Sequence, residues 1–145
     1  MLQGERAILG LVLVLGVLVM GCGSKSVQHL FDPNNKAHVN IEEAIRREIK
    51  KSGGELTEAD LEKVLELDLD NKDITAATDL MPLAGLTKLE GLYLGGNQIT
   101  DLTPLMGLQE LKGLHLSDNP NLTNAEIEKL QKALPGCDIS HNVKK

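Results

Sequence analysis

Residues 89–100 read LEGLYLGGNQIT, and residues 111–123 read LKGLHLSDNPNLT. Laid one over the other, Leu89, Leu92, Leu94 and Asn97 meet Leu111, Leu114, Leu116 and Asn119 at a constant spacing of 22 residues. The second copy then carries one extra residue before Leu122. Upstream the same spacing maps Leu80, Pro82, Leu83 and Leu86 onto Leu102, Pro104, Leu105 and Leu108. An earlier copy opens at Val64 with Leu67, Leu69 and Ile74; it has Lys72 where Asn is expected, and about three extra residues around Ala76-Ala77-Thr78. A fixed internal period of this length means stacked units, each burying its apolar face on the next. Pro82 and Pro104 would break a long helix, so a coiled coil is excluded.

The pattern L-x-x-L-x-L-x-x-N-x-I over residues 64–122 resembles the leucine-rich repeat. With T-D-L-x-P-L-x-x-L between strands, it is similar to the internalin-type bacterial subfamily. The resemblance implies an α/β fold: a short solenoid of about three repeats, with a short parallel sheet and helical caps. Each x-L-x-L-x stretch is expected to form a short strand with its leucines inward. Asn97 and Asn119 are expected to satisfy backbone groups at the turns as a ladder. Lys72 cannot accept a backbone N–H, so the ladder is expected to fray at the first repeat. The Pro82 and Pro104 segments return as irregular or 3₁₀ turns.

Solenoid ends need covers, because terminal repeats would expose leucines. Asn40-Ile41-Glu42-Glu43 reads as a helix start with Asn40 as N-cap, Ile41, Ala44, Ile45 and Ile49 on one face, and Ser52-Gly53-Gly54 as the end. Thr57-Glu58-Ala59-Asp60 resembles a second capping box. Thr123-Asn124-Ala125-Glu126 starts a last helix, with Ile127, Leu130 and Leu134 inward and Pro135-Gly136 as the stop. These runs are similar to the caps of small bacterial leucine-rich-repeat proteins.

The first residues read differently. Residues 7–20, AILGLVLVLGVLVM, carry no charge and follow Arg6. A positive start, a short apolar run and small residues after it describe a secretory signal peptide; the alternative is an uncleaved membrane anchor. Val19-Met20-Gly21-Cys22 resembles the lipobox of bacterial lipoproteins, and the resemblance implies cleavage before Cys22 and lipid on its thiol. The same resemblance implies that Gly23, not Asp, after that cysteine favours the outer membrane where the host has one. The expected division is therefore a signal peptide over 1–21, a tether over 22–38 and a repeat domain over 39–145. Within the domain, 39–63 is the N-terminal cap, 64–122 the repeats, and 123–145 the C-terminal cap and tail. Phe31 in the tether is expected to pack under the first helix. With Cys22 acylated, Cys137 has no disulfide partner and reads as a small buried apolar residue, or else as a reactive thiol.

Composition narrows the function classes. The chain has 145 residues, 41% of them hydrophobic, with one Phe, one Tyr and no Trp, so Leu, Ile and Val must build the core. A net charge of -6 disfavours nucleic acid, whose phosphates call for a Lys/Arg surplus. No nucleophile elbow or oxyanion hole accompanies His115, Asp68 and Ser117, so no enzyme is expected. His29, His38 and His141 lack metal-ligand spacing. Asp68, Asp70, Asn71 and Asp73 lack the glycine and distant glutamate of an EF-hand loop. Neither a metal nor a cofactor is expected.

Residues flanking the inward leucines should line the concave side: Glu66, Asp68 and Asp70; then Gly91, Tyr93 and Gly95; then Gly113, His115 and Ser117. Asp68, Tyr93 and His115 would stack in one column. The candidate partner-binding residues are Asp68, Tyr93, His115, Glu66, Asp70 and Ser117, with Tyr93 as anchor. The expected function is a membrane-anchored, monomeric module that binds an unknown protein, held in the bacterial cell envelope or at the cell surface by lipid on Cys22. The alternative is a structural or accessory envelope lipoprotein with no specific ligand on that face.

Overall fold

A computed structural model describes residues 24–144. The signal peptide and Cys22 lie outside the described residues. Among the described residues the strands are β1 (Glu66–Asp68), β2 (Gly91–Tyr93), β3 (Gly113–His115) and β4 (Asp138–Ser140). They form one sheet in the order β1-β2-β3-β4, every neighbouring pair parallel. Leu67, Leu92, Leu114 and Ile139 stand in register along it. The repeat leucines at 67, 69, 92, 94, 114 and 116 are all buried. Residues 81–85 and 103–105 are 3₁₀ turns with Pro82 and Pro104 at their starts, where a missing N–H costs nothing. The offset of 25 between Leu67 and Leu92 exceeds the later 22. The extra length forms a helical turn at Ala77–Leu80 on the return path.

The N-terminal cap differs from expectation. Helix α1 spans Lys36–Glu48, starting four residues before Asn40 could cap it. Its N-cap is Asn35, whose side chain accepts from the Ala37 and His38 N–H groups. The helix ends at Glu48, ahead of the glycines, because Lys50 takes the left-handed conformation at φ 56°. Lys51 N–H then donates to Arg46 O, and Lys50 N–H to Arg47 O, which closes the helix end. Residues 24–38 are no free tether. Val27 and Phe31 are buried in the core, Ser26 bridges Thr57, and Val27 N–H donates to Leu56 O. Burial of these two apolar side chains draws the segment onto the cap. His38, expected in the tether, accepts from Asp32 N–H at Nδ1 and meets Thr78 O from Nε2 at 2.8 Å.

Helix α2 (Glu58–Leu61) begins with the expected capping box between Thr57 and Asp60, and α3 (Asn124–Ala133) with Thr123 as N-cap. Ile127, Leu130 and Leu134 point inward, as the pattern predicted. Cys137 is also buried; burial and the neighbouring Asp138 push its thiol above the usual range, away from reactivity. The strand β4 was not anticipated: within the tail it contributes one inward apolar residue, Ile139.

Two buried carboxylates hold the cap together. Asp60 takes Lys51 at 2.6 Å, Lys63 at 3.0 Å, and the Thr57 hydroxyl and N–H. Asp79 accepts from Asn35 Nδ2, from the Thr75 N–H and hydroxyl, and from Ala76 N–H. Burial alone would raise both pKa values, but these donors outweigh it and hold both below the ordinary carboxylate range. A carboxylate depressed in the folded state contributes stability above its unfolded pKa, and that contribution is lost as pH falls towards the folded value. The expected result is a Tm that is flat above about pH 5 and drops by about 5 °C or more towards pH 3. Asp60→Asn should start lower and show a shallower fall. Circular dichroism melts across that range decide it; an equally steep fall in Asp60→Asn would assign the acid lability elsewhere.

Candidate functional site

The outward face of the sheet is built by strand alternation. With Leu67, Leu92, Leu114 and Ile139 turned to the core, their neighbours must point the other way. Glu66, Gly91, Gly113 and Asp138 form one line across the sheet, and Asp68, Tyr93, His115 and Ser140 the next. The expected column of Asp68, Tyr93 and His115 is therefore present, and β4 lengthens it by Ser140. Asp138 and Ser140 were missed because a strand reading D-I-S offers a single apolar residue; the alternation after Pro135-Gly136 was the available signal.

A third line follows the strands into their turns. Asn71 N–H donates to Gly95 O, and Gly96 N–H to Ser117 O. Asp118 N–H donates to Asn142 Oδ1, and Asn142 Nδ2 returns to the Asp118 carboxylate, closing the line at β4. Asn71, Gly96 and Asp118 occupy the same step of each repeat, and all have φ between 56° and 65°. Asn and Asp tolerate this conformation better than other side chains. At Gly96 a Cβ would also collide with the Asn71 carboxamide.

Tyr93 is 44% exposed, and the chain has no other Tyr and no Trp. Its neighbours two residues either way along β2 are glycines, so nothing covers the ring from within its own strand. The His115 ring lies 6.5 Å away, tilted by 50°. His115 Nδ1 is 4.0 Å from Asp70 Oδ1, the two reaching across Gly95, whose N–H donates to that same oxygen at 2.6 Å. A Cβ at Gly95 would press on both side chains at 3.0–3.1 Å. Asp68 does not reach His115; its Oδ1 accepts from Asp70 N–H. Ser117 makes no side-chain hydrogen bond to His115 among the described residues. The three therefore form no relay in this arrangement.

The acidic run of the first repeat disperses. Asp73 turns away to pair with Lys36 at 2.6 Å, while Asp68 and Asp70 stay on the sheet face. Among the described residues no three His, Cys, Asp or Glu side chains converge on a metal-sized site. No helix among them is long and apolar enough to cross a membrane.

A parallel sheet whose strands recur at a 22–25 residue offset, with proline-led 3₁₀ returns and buried asparagines, Asn97 and Asn119, at two successive turns, defines a leucine-rich-repeat solenoid. Residues 87–132 match the family model for leucine-rich repeats, in two copies, so the chain carries leucine-rich repeats. In the crystal structure of an internalin C2 from Listeria monocytogenes the same fold recurs, with a TM-score of 0.54 and 23% identity over 84% of this chain and 61% of that one. An internalin (inlF) from the same organism matches with 19% identity over 84% of this chain and 47% of that one, at a TM-score of 0.39. A leucine-rich-repeat protein of Leptospira interrogans is 34% identical over 41% of this chain and 15% of that one, at 0.37. The chain spans less than two thirds of each of these proteins. No curated protein sequence matches it.

Proposed function

We propose that this protein is a lipid-anchored binding module of the bacterial cell envelope, which engages a protein partner through its outward, concave strand face. The observation that carries the binding half is Tyr93: an uncovered ring at the centre of an ordered face, with glycine on both sides. Aromatic residues anchor interfaces because they bury much area at little entropic cost. Solenoids present extended surfaces suited to that use. Asp68, Tyr93, His115, Glu66, Asp70 and Ser117 are the partner-binding residues of this reading, and Ser140 joins them through β4.

The anchoring half rests on the sequence Val19-Met20-Gly21-Cys22 behind its apolar run. Residues 1–21 are then removed, and acyl chains on Cys22 hold the domain at the membrane, at about 0.8 kcal/mol per buried methylene. Because Val27 is already part of the core, the link from lipid to domain is only a few residues long. Intact mass of detergent-extracted protein should show loss of residues 1–21 and added acyl mass. An unmodified full-length chain would refute the anchor.

For the binding half, Tyr93→Ala should weaken the partner by at least about 2 kcal/mol while changing folding stability by less than about 0.5 kcal/mol. The partner is whatever envelope protein the wild type captures, with both affinities then measured by calorimetry. A variant that binds as tightly as wild type would sink the concave-face reading and favour a structural envelope lipoprotein.

A further inference from the structure

The strand face is chemically one-sided. Its outward positions hold four carboxylates, at Glu66, Asp68, Asp70 and Asp138, and no lysine or arginine. Lys112, at the border just before β3, is already paired with Glu90 at 2.8 Å. Elsewhere the carboxylates of Asp60, Asp73, Glu42, Glu90 and Glu126 have Lys or Arg partners within 3.6 Å. On the face, among the described residues, no Lys or Arg reaches Glu66, Asp68, Asp70 or Asp138, and the one contact of that kind is His115 beside Asp70. The exposed ring of Tyr93 lies next to Asp68 across the strands, and Gly91 and Gly95 put no side chain of its own strand beside it.

We infer that this face takes a positively charged segment of its protein partner, with an arginine or lysine side chain laid over Tyr93 and its N–H groups directed to Asp68 and Asp70. The inference rests on the concave-face reading and gives it a chemistry. A cation over an aromatic face gains from the ring quadrupole, and more when carboxylates flank it. Arginine suits the arrangement better than lysine. Its flat guanidinium stacks on a ring while donating in its own plane, and it sheds water more readily than an ammonium group. The glycines let acidic side chains lie close beside the ring: a β-carbon at 91 would press on Glu66, and one at 95 on His115 and Asp70. An acidic partner would meet four carboxylates with no lysine or arginine among them and be repelled.

The test uses the chain's own composition. Tyr93 is the only tyrosine and there is no tryptophan, so intrinsic tyrosine fluorescence of the whole protein reports on this one site. The probe is a blocked peptide of alternating glycine and arginine, titrated in parallel with versions carrying citrulline or glutamate in place of arginine. The arginine peptide should give a saturable fluorescence change with a Kd of about 1 mM or tighter, and the citrulline and glutamate peptides none in that range. Asp68→Asn combined with Asp70→Asn should weaken the arginine peptide at least about fivefold. Each amide keeps the oxygen that accepts from Asp70 N–H or Gly95 N–H, so folding is preserved, and a melt of the variant checks it. Glu110→Gln with Glu128→Gln, an equal charge change at exposed positions off the face, should leave affinity within about twofold. No response to the arginine peptide, equal binding of the citrulline peptide, or equal weakening by the two double variants would each overturn the inference. If Tyr93→Ala meanwhile still costs the envelope partner its affinity, only the cationic assignment falls and the face remains the binding surface.

Discussion

Leu94→Ala is expected to destabilise the domain by about 2–5 kcal/mol. Leu94 is fully buried, as are Leu69 and Leu116, its counterparts in the flanking repeats. Its backbone N–H donates to His115 O, so the residue sits where β2 is tied to β3. Truncation removes apolar contacts on both sides of one repeat and leaves a void that stacked leucines cannot easily close. A solenoid's stability is close to a sum of repeat and neighbour terms. Losing one repeat's share of a short stack consumes a large part of a total that is typically 5–15 kcal/mol. Urea unfolding followed by circular dichroism gives the number. Met81→Ala, at a position 60% exposed, serves as the comparison and should stay within about 0.5 kcal/mol. Were Leu94→Ala equally mild, the inward assignment of the strand leucines would be wrong.

The repeat register was legible in the sequence because its physics is local and periodic. Leucines two apart in a strand must share a face, and the spacing of 22 forces successive strands into the same register. The proline returns and the Thr57 and Thr123 caps were readable for the same reason, since each is a short-range hydrogen-bonding or dihedral preference. What escaped notice depends on contacts distant in sequence. Asn40 looks like an N-cap until Asn35, five residues earlier, finds Asp79 as a partner 44 residues away. The stretch 22–38 reads by composition as a tether in which only Phe31 packs, yet Val27 is buried in the core as well and Leu30 packs partly against it. β4 shows too few apolar residues to announce itself, and its pairing with β3 supplies the rest.

The candidate site was legible as a set of residues and less so as a set of contacts. Alternation alone places Asp68, Tyr93 and His115 in one column. It does not say that His115 would lean towards Asp70, because that depends on Gly95 leaving the diagonal open. Gly95 leaves the Tyr93 ring without a side-chain neighbour at that place on its own strand. In the folded sheet it also lets two side chains from non-adjacent strands approach each other.

The second large effect is expected at Asn97, where a polar side chain does the packing of the turns. Asn97 is 2% exposed. Its Oδ1 accepts from Lys72 N–H at 3.0 Å and Ile74 N–H at 3.1 Å, and its Nδ2 donates to Leu69 O and Leu94 O, both at 2.9 Å. Asn97→Ala strands three of these backbone groups, since Leu94 O keeps Asn119 Nδ2, and each unsatisfied buried group costs about 1–3 kcal/mol. Partial hydration will recover some of it, so a loss of at least about 3 kcal/mol is expected. Asn97→Asp should do no better: its oxygens keep the two N–H groups, but one of them faces Leu69 O, which has lost its donor, and Leu94 O, with a negative charge brought into the buried turn. Asn119→Ala should cost less, because Asn119 Oδ1 takes one backbone N–H, that of Ile99, while its Nδ2 serves Leu94 O and Leu116 O. The ladder does not fray at Lys72 as its side chain suggested. Lys72 N–H is taken by Asn97, and Lys72 O accepts from Asn40 Nδ2 of α1, so the cap helix supplies the amide the first repeat lacks. Asn40→Ala should therefore cost about 1 kcal/mol, the usual net worth of one such bond. Chemical unfolding of the three alanine variants should rank them Asn97, then Asn119, then Asn40; a reversed order would mean that the asparagines do not act as a hydrogen-bonding ladder.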